Sequence, residues 1–123
     1  MHRESVSEGE LRVESSFDEE HIDLRLSGCA DARSMSSLGN AVGRAATEAR
    51  QGTVREVCVD LRDLEFMNSS CFKHFVTWIC AVQDAAPSVP QRFRFRSNPK
   101  MLWQRRSLHA LAGLAADLVS IES

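Results

Sequence analysis

The chain has 123 residues, the length of one domain, and at that size folding buries roughly two-thirds of the surface the unfolded chain exposes. Its 43% hydrophobic and 26% charged residues exclude a disordered or fibrous chain, and 15 Lys and Arg against 17 Asp and Glu argue against a dedicated nucleic-acid binder. No apolar run approaches the roughly 20 residues that span a bilayer, and the polar start lacks a signal-peptide stretch, so a soluble cytoplasmic protein is expected.

Residues 1–9 are polar and read as a flexible N-terminal segment, with the domain proper over 10–123. Leu11-Arg12-Val13-Glu14 and Ile22-Asp23-Leu24-Arg25-Leu26 alternate apolar and polar, the period of half-buried strands. The acidic turn between them predicts a hairpin, with Gly28 ending the second strand. From Ser34 to Arg50 the period changes: Met35, Leu38, Val42, Ala45 and Ala49 fall at helical spacing. Ser34 or Ser36 is the expected cap, with Gly52 just past the end. Gly39 and Gly43 weaken this helix unless they let a backbone approach the sheet closely. Val57-Cys58-Val59-Asp60-Leu61 is a strand buried on both faces. Arg62–Met67 then reads as a loop. Phe72, Phe75, Val76 and Ile79 mark an amphipathic helix, and the prolines of 85–90 close it with another loop. Phe93-Arg94-Phe95-Arg96 is a strand, Asn98-Pro99 opens a helix carrying Leu108 and Leu111, and Leu118-Val119-Ser120-Ile121 is a last strand. The order β-β-α-β-α-β-α-β predicts an α/β domain, one mixed sheet covered by helices.

Four cysteines, at 29, 58, 71 and 80, form no Cys-x-x-Cys pair and have no histidine at zinc-finger spacing. They read as buried thiols in a reducing compartment, and neither a metal nor a cofactor is expected. His74 and His109 have no partner at ligand spacing. Ser70 and His74 lie four apart on one helix, without the strained turn and oxyanion arrangement acyl transfer needs, so no catalytic residue is assigned and the chain is not expected to be an enzyme. Arg92, Arg94 and Arg96 make a basic strand face, either solvated or turned to an acidic partner or RNA. Trp78 and Trp103 read as packing residues.

The informative stretch begins at Asp60. A buried strand leads to Asn68-Ser69-Ser70 at the start of a helix. Either serine can cap that helix through its hydroxyl oxygen. Alternatively, a phosphate there would gain from the free N–H groups and the helix dipole, which makes the position a physically sensible switch.

The run Val57-Cys58-Val59-Asp60-Leu61-Arg62-Asp63-Leu64-Glu65-Phe66-Met67-Asn68-Ser69-Ser70-Cys71-Phe72 resembles the signature of the STAS family, the domains of sulfate transporters and anti-sigma factor antagonists. Leu26-Ser27-Gly28 with Asp31-Ala32, then Arg105-Arg106-Ser107-Leu108, Leu111-Ala112-Gly113-Leu114 and Leu118-Val119-Ser120-Ile121, extend the resemblance in order over residues 10–122. It implies a single STAS-like domain and a bacterial, non-catalytic signalling protein. In the antagonist branch a serine kinase that also sequesters a sigma factor phosphorylates the second hydroxyl of the signature, and a phosphatase resets it. Carried over, Ser70 is the phosphorylation site, Ser69 the second choice, and Asp31, Arg62, Asn68, Cys71 and Lys73 face the partner. The expected partners are thus a kinase or anti-sigma-like protein and a phosphatase, with no nucleic acid and no membrane. Asn68 stands where the family usually has Asp and Cys71 where it has Gly. The first removes a charge, and the second places a thiol at a helix N-terminus, where thiolate is favoured. Another bacterial branch resembling this fold carries Asn, two hydroxyl residues and Lys at this spacing. Two other functions fit the same residues: a constitutive scaffold domain of a multiprotein sensory complex, and a small-molecule or nucleotide sensor, which needs a pocket.

Overall fold

The computed structural model describes residues 2–51, 53–85 and 91–122. Gly52 and the expected loop over 86–90 lie outside the described residues. Six strands form one sheet in chain order: β1 (His2–Glu8), β2 (Leu11–Phe17), β3 (His21–Ala30), β4 (Glu56–Met67), β5 (Arg92–Arg96) and β6 (Val119–Glu122). The first three pair antiparallel, and the steps from β3 to β6 are parallel. A helix fills each parallel crossover: α1 (Met35–Gln51), α2 (Ser69–Ala85) and α3 (Leu102–Leu114).

The alternation expected of β2 and β3 holds: Leu11, Val13, Ser15 and Phe17 sit opposite Gly28, Leu26, Leu24 and Ile22 on one face. Val57 and Val59 continue that face, then Phe93 and Phe95. Three right-handed crossovers advancing in one direction place every helix on the same side. The sheet is therefore covered on one face only. Phe75 and Trp78 of α2 meet Phe95 and Phe93 edge to face at ring separations of 6.0 and 4.9 Å. The other face is a lattice of ions. Arg94 lies 3.2 Å from Glu56 and 3.4 Å from Glu122, and Arg96 lies 3.8 Å from Glu122. The arginine strand is thus largely neutralised within the sheet.

The structure corrects four local expectations. Residues 2–8, read as a flexible segment, form β1 and pair with all of β2. The signal is the two-residue Gly9-Glu10 turn, with Gly9 at φ +61, a conformation glycine adopts freely. Only Val6 is apolar at its centre, so no alternation reveals the strand. Gly28 does not end β3, which runs on to Ala30. Arg62–Met67 is not a loop but the second half of β4. Two register shifts against β3 each insert one residue into β4, around 61–62 and at Glu65, and the period-2 pattern is lost. Asp31, not Ser34 or Ser36, caps the turn before α1, and Ser34 completes the capping box from its side chain.

Beyond Asp60, β4 outruns β5, whose pairing ends at Asp60 and Arg96. Side chains take over the exposed edge. Gln104 of α3, fully buried, donates from Nε2 to the carbonyls of Leu61 (2.6 Å) and Leu64 (3.1 Å). Its Oε1 accepts from the Asn98 amide at 2.8 Å, and Asn98 Nδ2 donates to the Arg62 carbonyl at 3.3 Å. This clamp keeps the far half of β4 extended, and that half delivers Asn68 to the head of α2.

Candidate functional site: the head of α2

The carboxyl ends of β3 and β4 lie side by side, the edge where open α/β sheets carry their sites. Asn68 N–H donates to the Ala30 carbonyl at 2.9 Å, tying the two strand ends together. Asn68 Oδ1 accepts from Cys71 N–H at 2.8 Å, and its backbone carbonyl accepts from Phe72 N–H at 3.0 Å. Asn68 is therefore the N-cap of α2. This corrects the serine-cap reading: Ser69 and Ser70 occupy the first two helical positions. Both are exposed, and among the described residues neither hydroxyl has a hydrogen-bond partner. No acidic residue sits in the first turn. The positive end of the helix dipole and the N–H groups of Ser69 and Ser70 are free to meet an anion.

Replacing Asn68 by alanine is expected to lower stability by about 1 kcal/mol, the usual worth of a cap. Urea unfolding measures it; an unchanged midpoint would show that the Oδ1 bond contributes nothing.

Asp31 closes the site from the β3 side. Its carboxylate accepts from the Arg33 guanidinium and from Arg33 N–H, both at 3.0 Å. These bonds hold the carboxyl below the usual aspartate range, so it stays ionised. Lys73 is exposed one turn beyond the serines, three residues after Ser70 and four after Ser69, the spacing that places side chains on one helix face.

Two expected partner contacts fall elsewhere. Cys71 is fully buried, its Sγ 3.7 Å from the Asp31 carbonyl oxygen. Burial, with the Asp31 charge adding to it, pushes the thiol pKa up. The residue packs the helix head against β3 and presents neither a thiolate nor a docking surface. Alkylation of the native protein by iodoacetamide near neutral pH should leave Cys71 unmodified while the half-buried Cys80 reacts. Mass spectrometry checks this, and early labelling of Cys71 would contradict the packing. Arg62 is five strand residues before Met67, about 15 Å from the helix head at the strand rise. Its guanidinium is held by Asp60 at 3.0 and 2.8 Å. Burial acts to raise the Asp60 carboxyl, but the Arg62 bonds outweigh it and the pKa is lowered. The pair belongs to the open sheet face, not to the serines.

Phe66 is the residue the pattern analysis passed over. It is 47% exposed at the end of β4, two residues before the cap. Simple alternation would bury it with Leu64; the extra residue at Glu65 turns it outward. Among the described residues no cluster of His, Cys, Asp and Glu could hold a metal, and no helix is long and apolar enough to cross a membrane.

A mixed sheet with three helices on one face is the fold of solved anti-sigma factor antagonists. Solved structures similar to the chain include an anti-sigma factor antagonist from Mycobacterium paratuberculosis, with a TM-score of 0.66 and 13% identity over 91% of this chain and 85% of that one. The unphosphorylated anti-sigma factor antagonist SpoIIAA superposes with a TM-score of 0.63 and 18% identity, covering 90% of this chain and 88% of that one. The phosphorylated form of the Bacillus cell fate determinant SpoIIAA gives 0.61 and 19%, covering 90% and 91%. By sequence, neither a family model nor a curated protein matches. At these identities the likeness carries the fold, not the residues.

Proposed function

We propose that this chain is a non-catalytic regulatory protein of the bacterial cytoplasm that docks a protein partner through the head of α2. The partner is a serine kinase of the anti-sigma kind. It phosphorylates Ser70, with Ser69 as the secondary acceptor, and a phosphatase reverses the change. The observation that carries this reading is the division of labour at residues 68–70: Asn68 alone satisfies the cap, leaving both hydroxyls exposed and unpartnered. A pure cap would have used them. Lys73, Asn68 and Asp31 frame the surface, and Phe66 supplies an apolar contact. A phosphoryl group on Ser70 would bring up to two negative charges beside Asp31. It would weaken docking by repulsion and by the cost of desolvating the charge.

Affinity purification from the host should recover a kinase-like or anti-sigma-like protein with the wild type and with Ser70→Ala. Ser70→Asp should lower that recovery at least about tenfold, roughly 1.4 kcal/mol of docking energy. Equal recovery with Ser70→Asp would favour a constitutive scaffold using the same surface.

A further inference from the structure

Alongside the sheet, α1 and α2 diverge and leave an elongated groove of about 810 Å³. Toward their N-terminal ends the His74 ring packs over Gly39; an added Cβ there would stand only 3.0 Å from it. Beyond this point Gly43 has open space: nothing would lie within 4 Å of a Cβ. Ala46 of α1 and Trp78, Ala81 and Ala85 of α2 continue the apolar walls. Gly39 therefore brings a helix close to a helix, not to the sheet, and Gly43 makes no close approach at all.

The charge in the groove is one-sided. Arg50 and Arg55 line it, and among the described residues no acidic residue does. Arg50 lies eleven residues beyond Gly39, about 16 Å along the helix. Among the described residues neither guanidinium has an acidic partner; Arg50 touches only the Thr47 hydroxyl, at 3.4 Å. Outside the groove seven arginines, at 12, 25, 33, 44, 62, 94 and 96, pair with carboxylates, while among the described residues Arg3, Arg92, Arg105 and Arg106 do not; Arg50 and Arg55 differ from those four in lining an apolar cleft. A mostly apolar cleft of this size with a few placed polar groups has the character of a small-molecule site.

We propose that the α1–α2 groove binds a single-chain anionic amphiphile, its alkyl chain along the Gly43–Ala81 walls and its carboxylate on Arg50 and Arg55. The head is read by charge-assisted hydrogen bonds. The chain is held by removing apolar surface from water. This site is separate from the serine surface, though both lie on α2, and it does not depend on the partner reading.

Calorimetric titration with monomeric dodecanoate tests it. The full chain should bind one equivalent saturably, and dodecanol should bind at least about tenfold more weakly. Arg50→Gln with Arg55→Gln should erase that preference. Gly43→Leu fills the open space and should lower dodecanoate affinity at least about tenfold while the thermal melt stays intact. Should that variant fail to fold, Ala81→Phe blocks the facing wall from an exposed position. Absence of saturable binding, equal binding of dodecanol, or unaltered binding by the folded groove-filling variant would each overturn the proposal. So would capture by vesicles of anionic phospholipid with no binding of monomeric dodecanoate, which would make the arginines a membrane-surface contact.

Discussion

Gly28→Ala is expected to destabilise the domain by about 3–4 kcal/mol, a large part of the roughly 5–15 kcal/mol that holds a domain of this kind. Gly28 stands at φ +89, a conformation that L side chains rarely adopt, and that alone costs about 1–2 kcal/mol. A Cβ built there falls onto the carbonyl oxygen of Glu10. That oxygen cannot simply retreat, because it accepts from Cys29 N–H at 3.2 Å and belongs to the β1–β2 turn. The melting midpoint should fall by roughly 12–16 °C, taking about 4 °C per kcal/mol at this size. Gly43→Ala is the matched control. It adds a Cβ into open space within a helix and should raise stability by about 0.5–1 kcal/mol. Thermal melts of the two variants side by side decide the point: a loss under about 1 kcal/mol for Gly28→Ala would mean that β3 relaxes around the clash.

Gln104→Leu is expected to cost about 3 kcal/mol, although leucine nearly conserves the volume and is the better helix former. The loss follows from three groups left without partners: the carbonyls of Leu61 and Leu64 and the N–H of Asn98. Each unsatisfied buried polar group costs about 1–3 kcal/mol, reduced where local relaxation admits water. Urea unfolding gives the magnitude. Hydrogen exchange gives the location, because β4 beyond Asp60 and the first turn of α3 should lose protection first. A neutral outcome would show that the β4 edge finds other donors. The same variant bears on function, since the far half of β4 carries Phe66 and Asn68 to the head of α2. Partner recovery should fall along with stability, whereas Ser70→Asp should change recovery alone.

The elements that could be read from the chain are those whose period survives into the fold. Leu11–Val13, Ile22–Leu26, Val57–Leu61 and Phe93–Phe95 each place alternate or continuous apolar residues on the helix-covered face, and α2 buries Cys71, Phe75, Trp78, Ile79 and Val82 at helical spacing. Local chemistry of this sort depends on neighbours in sequence. The polar run Asn68-Ser69-Ser70 was legible as a helix start, because it immediately precedes the apolar spacing of α2 in sequence. What the chain could not disclose are matters settled across sequence distance. The cap reads as one of the two serines until Asn68 is anchored to Ala30 of a strand 38 residues earlier. Cys71 reads as a buried thiol from composition, although a helix N-terminus favours thiolate. Packing against Asp31 decides for the buried thiol and raises its pKa.

Sequence alone therefore determined the α/β order, the single sheet and the hydroxyl pair at a helix head, because hydrophobic period and helix-start residues act within a few positions. Only the tertiary structure decided that β4 runs on to Met67, that Phe66 faces outward, that Arg62 belongs to Asp60 and that a groove opens between α1 and α2. Each of those depends on register shifts, on side chains such as Gln104 reaching 40 or more residues back, or on the gap between two helices. No local pattern encodes such relations, because they arise from how separate segments pack.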